Sequence, residues 1–228
     1  GFYGERMKLN RDVYLKNFPI DKYVDFIVER QHTTWDWTKA EQHGKWLESA
    51  YLSAIQSGDS ELMSKARAVL KRIVESQEEN GYLGATARSY RSDKRPVRGM
   101  DAYELYFVFH AFITVYEQTG DKDALAAVEK LADYYLKYFG PGKFWPSDLR
   151  DPENKHKQVD ALSDFAGHGV HYSWEGTLLC DPVARLYELT GKKKYLEWSE
   201  WVVSNIDKWS GWDAFSRLDS VADGTLGV

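Results

Sequence analysis

Apolar positions recur at helical spacing along most of the chain, and they do so in pairs of unlike helices. At 100° per residue, Leu105, Val108, Phe109, Phe112 and Val115 fill one side of a segment over 101–118. The other side carries Tyr103, Tyr106, His110, Thr114 and Glu117, with Phe107 and Ile113 among them. A helix that is apolar nearly all round is buried all round. Its His, Tyr and Glu stripe must then be satisfied by packed neighbours or by a wet cavity. The next segment, 122–139, differs: Ala124, Val128, Leu131, Tyr135 and Phe139 form a single inward stripe, and Asp123, Glu129, Lys130, Asp133 and Lys137 face outward.

The same pairing precedes and follows it. Helices are predicted over 21–30, 39–56, 60–77, 101–118, 122–139, 174–189 and 193–208, after an irregular lead-in over residues 1–20. Short turns, Ser-Gly-Asp, Thr-Gly-Asp and Thr-Gly-Lys, close three hairpins at Gly58, Gly120 and Gly191, about 60–70 residues apart, which marks degenerate helical-hairpin repeats. Between hairpins the connections are long, from Glu78 to Met100 and from Gly140 to about Tyr172. Loops beyond about 12–15 residues in a compact domain are usually functional or disordered, and the aromatic content of these two speaks against disorder. Regular alternation of direction brings both to one end of the bundle, where a site is expected.

Hairpins with a buried inner and an amphipathic outer helix, stacked side by side, curl into an α/α toroid. The fold class is therefore all-α, an incomplete (α/α)6 toroid with about seven of its twelve helices. The whole chain reads as a single domain, the N-terminal part of a larger catalytic barrel. An open half-ring exposes its inner helices, so a homo-oligomer covering them is expected.

Composition narrows the function. The net charge of −5 leaves no basic footprint for nucleic acid, and no apolar run reaches the ~20 residues of a membrane span. The one cysteine, Cys180, excludes an internal disulfide and any multi-cysteine zinc site within the chain. Aromatic residues make up 15%, with nine Trp. Such a surplus either builds a large aromatic core or lines a site that grips flat-faced ligands.

The segments Glu41-Gln-His-Gly-Lys-Trp-Leu-Glu-Ser-Ala50, Gln77-Glu-Glu-Asn-Gly-Tyr-Leu-Gly84 and Glu104-Leu-Tyr106, with His110 and Tyr116-Glu-Gln-Thr-Gly120, resemble the β-L-arabinofuranosidase-type glycoside hydrolases, family 127 and relatives. Phe139-Gly-Pro-Gly142 and Leu186-Tyr-Glu-Leu-Thr-Gly191 fit the same pattern, so the likeness runs over about 30–208. The resemblance implies an (α/α)6 barrel that releases terminal L-arabinofuranose or a related plant-polysaccharide sugar with retention. It also implies a cysteine nucleophile beside a zinc, with a glutamate as acid/base. Cys180 stands alone, so the resemblance places that centre, and the zinc of a complete enzyme, beyond Val228, with no cofactor held by this chain. It further implies an oligosaccharide or glycan substrate and a periplasmic or secreted setting.

His110 carries over as a partner for sugar hydroxyls, although the family has His where this chain has Tyr103. Beside it, the residues themselves nominate Trp37, Glu41, Tyr82, Glu104, His168, His171 and Trp174. Sugar hydroxyls need charged or imidazole partners, and C–H faces stack on rings. His43, near a helix start, reads as structural, and Glu104 reads equally as a buried carboxylate holding a loop. A conventional carboxylate pair, about 5–5.5 Å apart for retention or about 6.5–9.5 Å for inversion, stays open among Asp36, Glu41, Asp101, Glu104, Asp164 and Glu175. Two other functions stay open as well: another α/α-toroid sugar enzyme, such as an epimerase or unsaturated uronyl hydrolase, and a non-catalytic helical-repeat binding protein.

Overall fold

A computed structural model of the chain describes residues 1–31, 41–93, 96, 101–143 and 177–210. These contain eight α-helices: α1 Phe2–Leu9, α2 Ile20–Glu29, α3 Glu41–Ser57, α4 Ser60–Glu75, α5 Asp101–Thr119, α6 Lys122–Tyr138, α7 Cys180–Thr190 and α8 Lys193–Ser210. No strand longer than an isolated bridge occurs among the described residues. The all-α class is thus observed. The chain divides into two compact units, residues 1–135 and 136–228.

One expectation needs correction. The lead-in is helical: α1 runs directly into a π-helical segment, Asn10–Leu15. No residue of α1 is buried, so it carries no apolar stripe that periodicity could detect. Asn17 closes this segment by donating from Nδ2 to the carbonyls of Asp12 and Val13. Trp46 of α3 anchors it through Nε1–H to the Leu15 carbonyl at 3.0 Å. The helix expected over 174–189 is observed as α7, Cys180–Thr190. A 3-10 turn, Thr177–Leu179, precedes α7.

The hinges repeat in atomic detail. Gly58, Gly120 and Gly191 take φ of 68°, 72° and 66°, the left-handed conformation in which a helix is commonly capped. The hydroxyl just before each glycine donates to the carbonyl four residues back: Ser57 to Ser53, Thr119 to Val115 and Thr190 to Leu186. Beyond the first two glycines an aspartate caps the outgoing helix. Asp59 accepts from the Leu62 amide at 2.9 Å, and Asp121 accepts from the amides of Asp123 and Ala124. Side-chain oxygens thereby satisfy amides that a helix start leaves without partners.

In the first unit α3 packs against α5 and α4, and α2 lies on α3 and α4. Because α4 reverses the chain between them, α3 and α5 run parallel and present their N-termini at one end. Gly44 sets their spacing: a Cβ there would lie 2.5 Å from the Phe107 carbonyl carbon. In the second unit α7 and α8 pair. The Cys180 thiol reaches the Ser199 carbonyl at 3.6 Å, and the Ser199 hydroxyl donates back to the Cys180 carbonyl.

Candidate functional site

At the shared end of α3 and α5, the half-buried side of α5 carries Tyr103, Tyr106, Phe107 and His110. These are the residues that the apolar pattern sets opposite Leu105, Val108, Phe109 and Phe112, all of which are buried. The rings step along the helix by two edge contacts and one tilted contact. Tyr103 meets Phe107 at 5.3 Å, Tyr106 meets Phe107 at 5.2 Å, and Tyr106 meets His110 at 4.4 Å. This places an aromatic strip with an imidazole at its end on a helix whose other side is core.

Helix α3 supplies charge to the strip. Glu41, 7% exposed, lies 2.9 Å from the Lys45 Nζ one turn on. The Lys45 ammonium also sits 4.2 Å above the Phe107 ring and 5.9 Å from Tyr103. One turn further, Glu48 accepts from the Thr114 hydroxyl at 2.8 Å, tying the two helices together. An ion pair lying on aromatic faces, half shielded from water, is suited to a polyhydroxyl ligand. Carboxylate and ammonium take its hydroxyls, and the rings take its C–H face.

The other expected residues are placed differently. Tyr82 is fully buried, and its ring is turned into the core. Its hydroxyl donates to Asp101 Oδ2 at 2.6 Å and accepts from the Thr86 amide at 3.2 Å. Thr86 Oγ1 donates to the second oxygen of Asp101 at 3.0 Å. Arg91 stacks on Tyr82 at 3.5 Å and donates to the Thr86 carbonyl. This network fastens the long connection 78–91 to the first residue of α5. Burial raises the Tyr82 hydroxyl well above its usual range, and the neighbouring Asp101 charge adds to the effect. Glu104, 2% exposed, belongs to the same side: it and Asp101 both act on the buried Tyr135 of α6. Glu104 and His110 therefore occupy different faces of α5. Trp37, His168, His171 and Trp174 lie outside the described residues.

Sequence reasoning missed Lys45 and the Thr86–Arg91 part of the network. The i, i+4 spacing of Glu41 and Lys45 carried a usable signal for the first. Nothing in the sequence announces the second. Removing the Tyr82 hydroxyl deletes its bond to the buried Asp101 carboxylate and the bond it accepts from the buried Thr86 amide. Tyr82→Phe is thus expected to cost about 1–3 kcal/mol, read as a lower urea midpoint with earlier proteolysis of the connection.

Among the described residues no group of three or more His, Cys, Asp or Glu side chains is arranged to hold a metal ion. They offer no ligand set for the zinc that the resemblance implies. Burial pushes the Cys180 thiol above its usual value, with the Ser199 contact acting against it.

A family model described as "Beta-L-arabinofuranosidase, GH127 catalytic domain" matches residues 4–147. The non-reducing end β-L-arabinofuranosidase of Bifidobacterium longum subsp. longum is 27% identical over 169 residues, which is 70% of this chain and 22% of that protein. The crystal structure of a GH127 β-L-arabinofuranosidase from Geobacillus stearothermophilus T6 aligns with a TM-score of 0.61 at 19% identity, covering 88% of this chain and 31% of the other. At that identity the likeness shows a shared helical fold. The chain spans less than a third of the length of either protein.

Proposed function

This chain belongs to the family of the β-L-arabinofuranosidase GH127 catalytic domain, and from that premise we propose that it forms the sugar-recognising part of a glycoside hydrolase acting on terminal L-arabinofuranose. The observation that carries the reading is the strip of Tyr103, Tyr106, Phe107 and His110 beside the Glu41–Lys45 pair. It lies within the matched residues, at the end of the first unit from which the long connection 78–100 enters α5.

In this proposal Glu41, Lys45 and His110 take the sugar hydroxyls, and the Tyr103–Phe107 edge takes the C–H face. Trp37, His168, His171 and Trp174 complete the binding set from the connections. Tyr82 acts from behind, holding the loop to the start of α5, and Glu104 lies buried on the side of α5 that acts on Tyr135. The nucleophile, the acid/base and any zinc are assigned outside the described residues. A periplasmic or secreted setting goes with a glycan substrate.

Isothermal titration of the chain with methyl β-L-arabinofuranoside, against its α-anomer and against methyl β-L-arabinopyranoside, tests the reading. The β-furanoside is expected to bind most tightly, and His110→Ala to weaken it about 10-fold or more through loss of a charge-capable hydrogen bond. Equal affinity for all three glycosides, or no heat from any, would remove arabinofuranose as the ligand.

A further inference from the structure

The turn from α4 into the long connection borders an open hollow of about 300 Å³, lined by Glu78, Glu79, Asn80 and Arg88. That volume lies at the lower end of the range for small-molecule sites. Because α4 runs back toward the start of α3, this turn lies at the end of the first unit that carries the aromatic strip.

The wall of the hollow is braced from behind. The Glu78 amide donates to the Tyr82 carbonyl at 3.0 Å, and the Gly81 amide donates to the Glu78 carbonyl at 2.9 Å. Asn80 Oδ1 accepts from the Tyr82 amide at 2.9 Å, and Gln77 Nε2 donates to the carbonyls of Gly81 and Ala127. Gly81 holds φ at 98°, and a Cβ there would lie 2.3 Å from the Lys130 carbonyl oxygen of α6. The 3-10 turn Arg88–Tyr90 is fixed by the next residue, Arg91, which donates to both the Thr86 carbonyl and Glu78.

The front of the hollow is open. Glu79, Asn80 and Arg88 are exposed, and the side chains of Glu79 and Arg88 make no hydrogen bond or ion pair with any described residue. They line one hollow without pairing, which leaves a gap between an idle acceptor and an idle donor. The second oxygen of Glu78 has only the Asn80 amide, at 3.4 Å. Charge is balanced around them. Three guanidiniums, Arg30, Arg88 and Arg91, are set against three carboxylates, Glu78, Glu79 and, behind Tyr82, Asp101. An ion entering the hollow would upset that balance, whereas a neutral ligand keeps it. A hydroxyl is the neutral group that donates and accepts at once. A run of hydroxyls can therefore donate to Glu79 and Glu78 and accept from Arg88 and the Asn80 amide.

We propose that this hollow is a second glycan-binding site, which takes one neutral sugar unit by its hydroxyls. The ligand class rests on the reading of this chain as glycan-recognising, and the residues that hold it are independent of the aromatic strip. Hydrogen bonds to ionised partners are the stronger ones, and a wall fixed before binding spares the cost of ordering it.

Amide NMR of the chain during titration with linear L-arabinotriose tests the proposal, with the His110 ring signals followed in the same samples. The backbone amides of Asn80, Gly81 and Arg88 are expected to shift saturably, and to do so equally in His110→Ala. Glu79→Ala and Arg88→Ala change exposed side chains, so the urea midpoint is expected to stay unchanged. In each, the apparent Kd read at the hollow is expected to rise about 10-fold. The fully O-methylated trisaccharide keeps its acceptors and loses its donors, and is expected to leave the hollow unshifted. Shifts at His110 without shifts at the hollow overturn the proposal and leave the reading of the strip standing. Shifts at the hollow without shifts at His110 support it and count against the strip. Shifts at the hollow that persist unweakened in both variants, or no shift at either place, overturn it.

Discussion

Gly44→Ala is expected to destabilise the chain by about 3 kcal/mol, although alanine is the better helix former. An interior helical glycine costs roughly 1 kcal/mol relative to alanine, so with open space around it the substitution would stabilise. Gly44 has no such space. A Cβ there lies 2.5 Å from the Phe107 carbonyl carbon and 2.6 Å from its oxygen. Both are main-chain atoms of a buried helix and cannot swing aside as a flexible side chain would. Relief requires α3 and α5 to separate, with loss of the Glu48–Thr114 bond and of the contact of Lys45 with Phe107. Overpacking a well-filled interface costs typically about 1–3 kcal/mol and sometimes more. Gly4, in α1 with nothing within 4 Å of a Cβ, is the control: Gly4→Ala is expected to be neutral or slightly stabilising. Urea midpoints at unchanged m-value report both. A neutral Gly44→Ala would show that the two inner helices do not meet at this point.

Acid is expected to weaken the fold through His43, and His43→Leu to remove that part of the effect. His43 is 1% exposed, and neither ring nitrogen has a hydrogen-bond partner. Burial alone pushes its pKa from 6.5 down to about 3, so the folded chain holds it neutral while the unfolded chain protonates it near its ordinary value. The unfolded state therefore binds the extra proton throughout the window between these two values. Stability is intact above pH 6.5 and falls as pH drops toward 3. At about 1.4 kcal/mol per pH unit, the loss from this one group reaches on the order of 3 kcal/mol near pH 4.5. Surface carboxylates contribute to acid unfolding equally in both proteins, so the difference between the two urea-stability curves isolates His43. Leucine places no idle polar atoms in the core, and near pH 7 the variant is expected to be as stable as the original or more so. Parallel curves from pH 7 to 4 would show that His43 is hydrated or paired in solution.

The helical hairpins were legible because two independent signals coincide at each: an apolar stripe of helical period and a hinge glycine that must take positive φ. Helix α1 was illegible for the complementary reason. Its residues bury nothing, so only local hydrogen bonding marks it, and that leaves no trace in hydrophobic spacing. The aromatic strip on α5 could be read from the wheel because Tyr103, Tyr106 and His110 interrupt an otherwise apolar helix. The turn of Tyr82 into the core could not. It depends on a carboxylate nineteen positions away in sequence, Asp101, and a tyrosine in a glycine-rich loop looks the same whether it faces a ligand or a buried acid. Arg30 shows the same limit: its left-handed backbone, φ 46°, and its approach to Glu78 at 3.7 Å exist only once α2 and the turn at Glu78 are brought together.

The claim at the centre of this account is that the α3–α5 strip receives an L-arabinofuranosyl group. Its most direct test is to follow the ring-proton resonances of the histidines by NMR while the chain is titrated with methyl β-L-arabinofuranoside, with His110→Gln used to assign the His110 signal. The expected result is a saturable shift of the His110 resonances and of the Tyr106 ring that lies tilted against it, with those of buried His43 unmoved. Saturable binding that leaves His110 and Tyr106 unshifted would place the sugar elsewhere and contradict the assignment.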